Sequence, residues 1–178
     1  MEPKVYFNNS DILIRDMVHS DAEIIAAEER AQGWEQSADK YYERLRHREQ
    51  GKAIPLVAEY KGSIAGYISV YPDSEWGAFG GMGYPEIVDL GVLEKFRRLG
   101  IGTALMDVAE QIASQYADTV YLDVGLHSGY GSAQRMYVKR GYIPDGSGVW
   151  YRDKVCPCYT DCVNDDDLVL CLSKKLRS

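Results

Sequence analysis

The stretch from Glu86 to Gln115 constrains the fold more than any other part of this 178-residue chain. Residues 86–93 carry Ile87, Val88, Leu90 and Val92 in a short apolar run that reads as a central strand. From Ile101 the period changes to that of a helix over 101–115, with Ile101, Leu105, Val108, Ile112 and Tyr116 on one face. Between them runs Leu93-Glu94-Lys95-Phe96-Arg97-Arg98-Leu99-Gly100, a turn that opens directly into Ile101-Gly102-Thr103. The first N–H groups of a helix have no intrahelical acceptor and sit at the positive end of its dipole. Gly100 and Gly102 carry no Cβ, so an anion can approach the backbone closely, and Arg97 and Arg98 add charge. A diphosphate suits such a turn. The Walker pattern fails, because Thr103-Ala104 follows the last glycine where Lys-Ser/Thr is required. The dinucleotide fingerprint fails too, with only Gly100-x-Gly102 in place of three spaced glycines. Taken alone, the glycines also fit a tight packing turn that binds nothing.

The rest of the pattern is that of one mixed α/β domain over residues 1–178. Residues 12–15 read as an opening strand. Ser20 and Glu23 stand in the capping-box spacing, which predicts a helix from Asp21 to Ala31, and 37–48 read as a second helix. Two apolar runs, 54–60 and 64–70, flank Lys61-Gly62 and predict a hairpin. Residues 72–84 read as a loop containing Gly77, Gly80, Gly81 and Gly83. A buried strand follows at 119–124, then a helix at 132–140 closed by Gly141, then strands at 149–155 and 168–172. This order predicts a mixed, mostly antiparallel sheet of about six to seven strands flanked by about four helices.

Composition narrows the partners. With 46% hydrophobic residues the chain can bury a core without cross-links. No apolar run reaches the ~18 residues of a membrane span, so no membrane partner is expected. The opening Met1-Glu2-Pro3-Lys4-Val5-Tyr6 lacks the features of a signal peptide, which predicts a cytoplasmic protein. A net charge of -7 argues against a nucleic-acid partner. It leaves room for a small polyanion held by backbone N–H groups. Cys156, Cys158, Cys162 and Cys171 crowd the C-terminal end and read as reduced thiols. The first three fall short of the four paired ligands of structural zinc, and no metal is expected.

Arg97-x-x-Gly100-x-Gly102 resembles the Arg/Gln-x-x-Gly-x-Gly/Ala signature of the GCN5-related N-acetyltransferases, the GNAT family. The strand Asp89-Leu90-Gly91-Val92 before it and the helix after it are similar to that family's setting. A second segment, Ala133-x-x-Met136-Tyr137-Val138-Lys139-Arg140-Gly141-Tyr142, resembles the family's Ala-x-x-Leu-Tyr-x-Lys-x-Gly-Phe. The opening Ile14-Arg15-Asp16 followed by Asp21-Ala22 is similar to many members, so the resemblance covers about residues 10–145.

The resemblance implies the acyl-CoA N-acyltransferase fold, acetyl-CoA as donor and no metal. The amides of Arg98, Leu99, Gly100, Ile101, Gly102 and Thr103 would hold the pyrophosphate, with Arg97 adding charge. The backbone of Leu90, Gly91 and Val92 would pair with the pantetheine arm. Where the family often has Asn, this chain has Tyr130, so no side-chain amide serves the cofactor there. The implied reaction is direct attack by a primary amine of a small molecule in a ternary complex. The alternatives are a protein lysine or N-terminal acceptor, and an acyl-CoA-binding regulatory module without turnover. A homodimer is compatible with all three.

Amine chemistry sets the remaining demands. A lysine-like amine of pKa about 10.4 costs ~4–5 kcal/mol to deprotonate at pH 7, so a base is expected. Within the family an acidic residue on the strand before the turn often serves, and both Glu86 and Asp89 qualify here. Ideal alternation puts these two on opposite faces, and a bulge would change that parity. The family's acid, a tyrosine on the last helix, corresponds to Tyr137. Trp34, Tyr41, Tyr42 and the loop 76–84 stand where relatives form the acceptor pocket, and aromatics there suit an apolar or cationic group. Asp165-Asp166-Asp167 reads as a solvated turn before the last strand, and an acidic rim to the site would favour a cationic acceptor. His19, His47 and His127 are scattered and suggest no triad.

Overall fold

The computed structural model describes residues 2–176. Its strands are β1 (Val5–Asn8), β2 (Ile12–Asp16), β3 (Ile54–Tyr60), β4 (Ser63–Tyr71), β5 (Glu86–Val92), β6 (Thr119–Gly125), β7 (Ile143–Tyr151), β8 (Lys154–Val155) and β9 (Leu168–Lys175). The helices are α1 (His19–Ala31), α2 (Asp39–Glu49), α3 (Ile101–Ala113) and α4 (Gly131–Lys139). The sheet order is β1-β2-β3-β4-β5-β6-β9-β7-β8. It is the expected mixed, mostly antiparallel sheet with four helices, carrying nine strands among the described residues rather than six to seven.

The chain forms two compact units, Met1–Tyr71 with Val88–Ile112 and Pro72–Ile87 with Ala113–Ser178, which divide β5 after Ile87. In the first unit β3 and β4 pair antiparallel around Lys61-Gly62, both at positive φ (50° and 81°), as a primed hairpin turn requires. Met17, Ile25, Tyr41, Val57 and Tyr67 share its core. The capping-box expectation was two residues late. The helix starts at His19, and it is Asp21, 2% exposed, that accepts from the Val18 N–H at 2.7 Å. Asp21 also receives a fork from Arg15, 2.7 and 3.0 Å, which holds the carboxylate in place.

Both additional strands have physical reasons to escape a pattern reading. β1 is short and exposed, held by Asp16, which accepts from the Lys4 N–H and the Tyr6 hydroxyl, each at 3.0 Å. The run read as one strand over 149–155 is the end of β7, a turn and β8. The turn residues Arg152 and Asp153 have φ of 49° and 61°, conformations that side chains with a Cβ seldom announce. Helix α3 ends at Ala113, so Tyr116 lies beyond its apolar face and is 52% exposed.

In the second unit β6 and β9 form a long antiparallel ladder, with Asp123 opposite Cys171, and β7 lies against the other edge of β9. β5 enters this unit with Glu86 paired in parallel to Tyr121 of β6. Among the described residues no helix is long and apolar enough to cross a membrane.

Candidate active site

The turn after β5 has the backbone that the glycine spacing implied. Glu94–Phe96 make one 3₁₀ turn, Arg98 and Gly100 follow at φ of 64° and 82°, and α3 begins at Ile101. Ala104 is the first residue whose N–H reaches a helical acceptor, the Gly100 carbonyl at 3.0 Å. The N–H groups of Ile101, Gly102 and Thr103 precede it in the first turn, where a helix supplies no intrahelical acceptor, at the positive end of α3. A Cβ on Gly102 would meet only Val92 Cγ2, at 3.6 Å, and one on Gly100 would meet nothing within 4 Å. Neither glycine is crowded on its Cβ side. Arg97 lies over the Trp34 ring, 5.9 Å from its centroid, with Glu94 at 3.6 Å, and the side chains of Arg97 and Glu94 are about half exposed. Donor set, uncrowded glycines and flanking guanidinium fit a pyrophosphate.

Upstream, Leu90, Gly91 and Val92 are half-buried at the end of β5. Gly91 has no alternative: a Cβ there would lie 2.3 Å from Tyr67 Cζ. Tyr67 is fixed in turn by buried Glu29, which accepts from its hydroxyl and from that of Tyr41 at 2.7 Å. Burial raises both phenols above the usual range, with Tyr67 and then Glu29 adding to it at Tyr41 and the Glu29 charge at Tyr67. Tyr41, expected with the acceptor-pocket aromatics, is thus a core residue, 1% exposed. Tyr42 stays half-buried and donates to Glu23 at 2.9 Å.

The two carboxylates of β5 have different surroundings. Asp89 is in the first unit, in the left-handed conformation at φ 57°, and its Oδ2 is forked by Arg44. Glu86 is in the second unit, 6% exposed, and accepts from the Ser74 hydroxyl at 2.5 Å. It adjoins Tyr121, whose phenol is raised by burial and by the Glu86 charge and donates to the Trp76 carbonyl at 2.7 Å. Tyr137, on α4 in the same unit, is 7% exposed, and burial alone pushes its phenol up to about 12. It remains a proton donor throughout the neutral range.

The sequence reading missed Asp123. Its Oδ1 is buried without a hydrogen-bond partner among the described residues. Burial raises its carboxyl above the usual value, opposed by a hydrogen bond from Cys171 and reinforced by Asp153 and Asp145. The loop 72–84 covers this corner: Ala78 N–H donates to Cys171 Sγ at 3.4 Å and Gly77 N–H to Asp153 at 2.6 Å. The available signal was a single carboxylate inside the apolar run Val120-Tyr121-Leu122-Asp123-Val124. Among the described residues no group of three or more His, Cys, Asp or Glu is arranged to hold a metal.

A strand, a left-handed turn and a helix N-terminus beside a mixed sheet make an α/β arrangement that suits an anion. The Acetyltransferase (GNAT) family model matches residues 20–142, and the chain belongs to that family. An N-alpha-acetyltransferase of Sulfurisphaera tokodaii is 34% identical over 110 residues, 57% of this chain and 64% of that protein. The match thus spans less than two thirds of the relative's length. Among solved structures, Ard1 from Thermoplasma volcanium superposes with a TM-score of 0.67 at 22% identity, covering 94% of this chain and 99% of that one. The ribosomal-protein-S18-alanine N-acetyltransferase of Escherichia coli gives 0.66 at 11% identity, covering 94% and 95%. Likeness at such identities shows a shared fold.

Proposed function

We propose that the protein is an acetyl-CoA-dependent N-acetyltransferase whose acceptor is the α-amino group of a protein or peptide. The observation that carries the reading is the first turn of α3, with Gly100 and Arg98 in left-handed conformations ahead of it and a family match running through it. In this reading the amides of residues 98–103 and the Arg97 side chain hold the donor's pyrophosphate. The backbone of Leu90–Val92 takes the pantetheine arm. The acceptor nitrogen attacks the thioester carbonyl, the C–N bond forms and the C–S bond breaks. The ammonium proton leaves to a carboxylate, and the departing sulfur takes a proton from Tyr137.

For the base, Asp89 is the weakest candidate, because Arg44 occupies its carboxylate oxygen. Glu86 is engaged by Ser74, whereas Asp123 combines a free oxygen with a raised proton affinity. We assign the base to Asp123, with Glu86 as the competing residue. An α-amino group, with pKa about 7.7–8.0, costs only ~1 kcal/mol to deprotonate at pH 7, well within reach of a carboxylate. The relatives named N-alpha-acetyltransferase favour that acceptor. The small-molecule amine is the second reading, supported by a net charge of -7 that suits a cationic acceptor.

Thiol release from acetyl-CoA, measured across peptides with free N-termini, lysine peptides with blocked N-termini and polyamines, separates these readings. Turnover is expected with free N-termini. Turnover confined to polyamines selects the small-molecule reading, and tight acetyl-CoA binding without turnover anywhere selects a regulatory module.

A further inference from the structure

Inside β5 the backbone adopts a left-handed conformation at Asp89, φ 57°. Asp tolerates this region better than most residues, and its carboxylate is tied from outside the strand. What holds it is Arg44 of α2. Its Nε and Nη2 donate to Asp89 Oδ2 at 3.1 and 2.7 Å, and its Nη1 donates to the Tyr71 hydroxyl at 2.8 Å. His47 Nδ1 meets the same hydroxyl at 2.7 Å, so Tyr71, itself 2% exposed, is a fixed brace. The guanidinium and the carboxylate are both largely buried, 17% and 28% exposed. Two residues further on, Gly91 is pinned from the β4 side by the Tyr67 ring, and its carbonyl crowds Gly66, where a Cβ would come within 2.6 Å. Asp89 and Gly91 are therefore held independently, with Leu90 between them.

A residue in the left-handed conformation turns the strand locally and so sets the direction of the backbone that follows it. We infer that Arg44 is a positioning residue for acyl transfer: it clamps Asp89 in its left-handed conformation and thereby aims the backbone of Leu90, Gly91 and Val92 at the acyl donor. The inference rests on the reading that these residues hold acetyl-CoA. It gives Asp89 the role of anchor and accounts for a planar fork at position 44, since a lysine offers one point contact where Arg44 makes three.

The test measures acetyl-CoA binding by calorimetry and steady-state kinetics for Arg44→Gln, Arg44→Lys, Asp89→Asn and the Arg44→Gln/Asp89→Asn pair. Arg44→Gln is expected to raise the Kd and KM for acetyl-CoA about tenfold, with little rescue by Lys. Asp89→Asn should reproduce it, and the double variant should be no worse than either single, because both break one link. Every variant should keep both limbs of the pH–rate profile. Tyr71→Phe, which removes only the brace, should weaken binding about threefold and guards against misfolding of the Arg44 variants. Wild-type affinity in a folded Arg44→Gln or in Tyr71→Phe overturns the clamp. So does an Asp89→Asn variant that loses a limb of the profile while binding normally. A wild-type protein that binds no acetyl-CoA overturns the functional reading as well, which separates the two failures.

Discussion

A carboxylate that has lost its water without gaining a full set of partners holds its proton more tightly, and Asp123 is in that position. Its folded-state pKa is raised above the ordinary 3.8, so the contribution to stability is complete below that value and is lost as pH rises through the folded pKa. Ionising the side chain in the folded protein opposes folding. Asp123→Asn should therefore raise the melting temperature at pH 7, and the advantage should vanish as the pH falls below about 3.8, where both states bind the proton. The same variant should lose roughly 10²-fold in kcat and the rising limb of its pH–rate profile. A less stable or fully active Asp123→Asn sinks the assignment, and loss of the limb in Glu86→Gln alone hands the role to Glu86. Tyr137 makes the complementary case. Burial puts its phenol at about 12, so it donates but does not titrate near neutrality. Tyr137→Phe should cut turnover more than about tenfold and leave acetyl-CoA affinity nearly unchanged. Unchanged turnover would remove it from the acid's role.

At the scale of elements, the turn between β5 and α3 separates the needs of the fold from those of a ligand. Gly100 is required by its φ of 82°, and Gly100→Ala should lower stability by about 1 kcal/mol. Gly102 is different, because a Cβ there meets Val92 only at ordinary contact distance. Gly102→Val should leave a folded protein, seen by circular dichroism, whose KM for acetyl-CoA rises more than about tenfold, since the branched side chain fills the approach to the amides. An unchanged KM would mean that nothing comes close to that turn. This turn was legible in the sequence because strand, glycine spacing and helical period all point one way there. The β3–β4 hairpin was legible for the same reason. β1, the β7–β8 turn and the start of α1 were not: their stabilising groups are long-range or unusual, Asp16 for β1, two side-chain-bearing residues at positive φ for the turn, and Asp21 for the helix. The candidate site divides likewise. The residues proposed to hold the donor follow from local pattern, whereas the burial of Tyr41 on Glu29 and the buried, unpartnered oxygen of Asp123 are tertiary facts that no spacing encodes.

The whole molecule carries a net charge of -7, and the ligand proposed for it is a polyanion. Two grips would reconcile these facts, and they respond to salt differently. If exposed Arg97 and Arg98 did most of the holding, raising the salt from 0.1 to 1 M, which shortens the screening length from about 10 to about 3 Å, would weaken binding steeply. If the first-turn amides of α3 do it, their attraction acts at contact distance and is screened little, while the overall repulsion between protein and ligand is screened away. The first-turn N–H groups of Ile101, Gly102 and Thr103, and the engagement of Arg97 with Trp34 and Glu94, argue for the amides. The Kd for acetyl-CoA, measured by calorimetry, is therefore expected to change less than about threefold over that range. A cationic peptide acceptor attracted by the acidic excess should lose affinity over the same range, because its attraction is long-range. Weakening of acetyl-CoA binding by tenfold or more would transfer the grip to the two arginines. In that case Arg98, which side-chain exposure leaves free to reach a phosphate, becomes the residue to replace first.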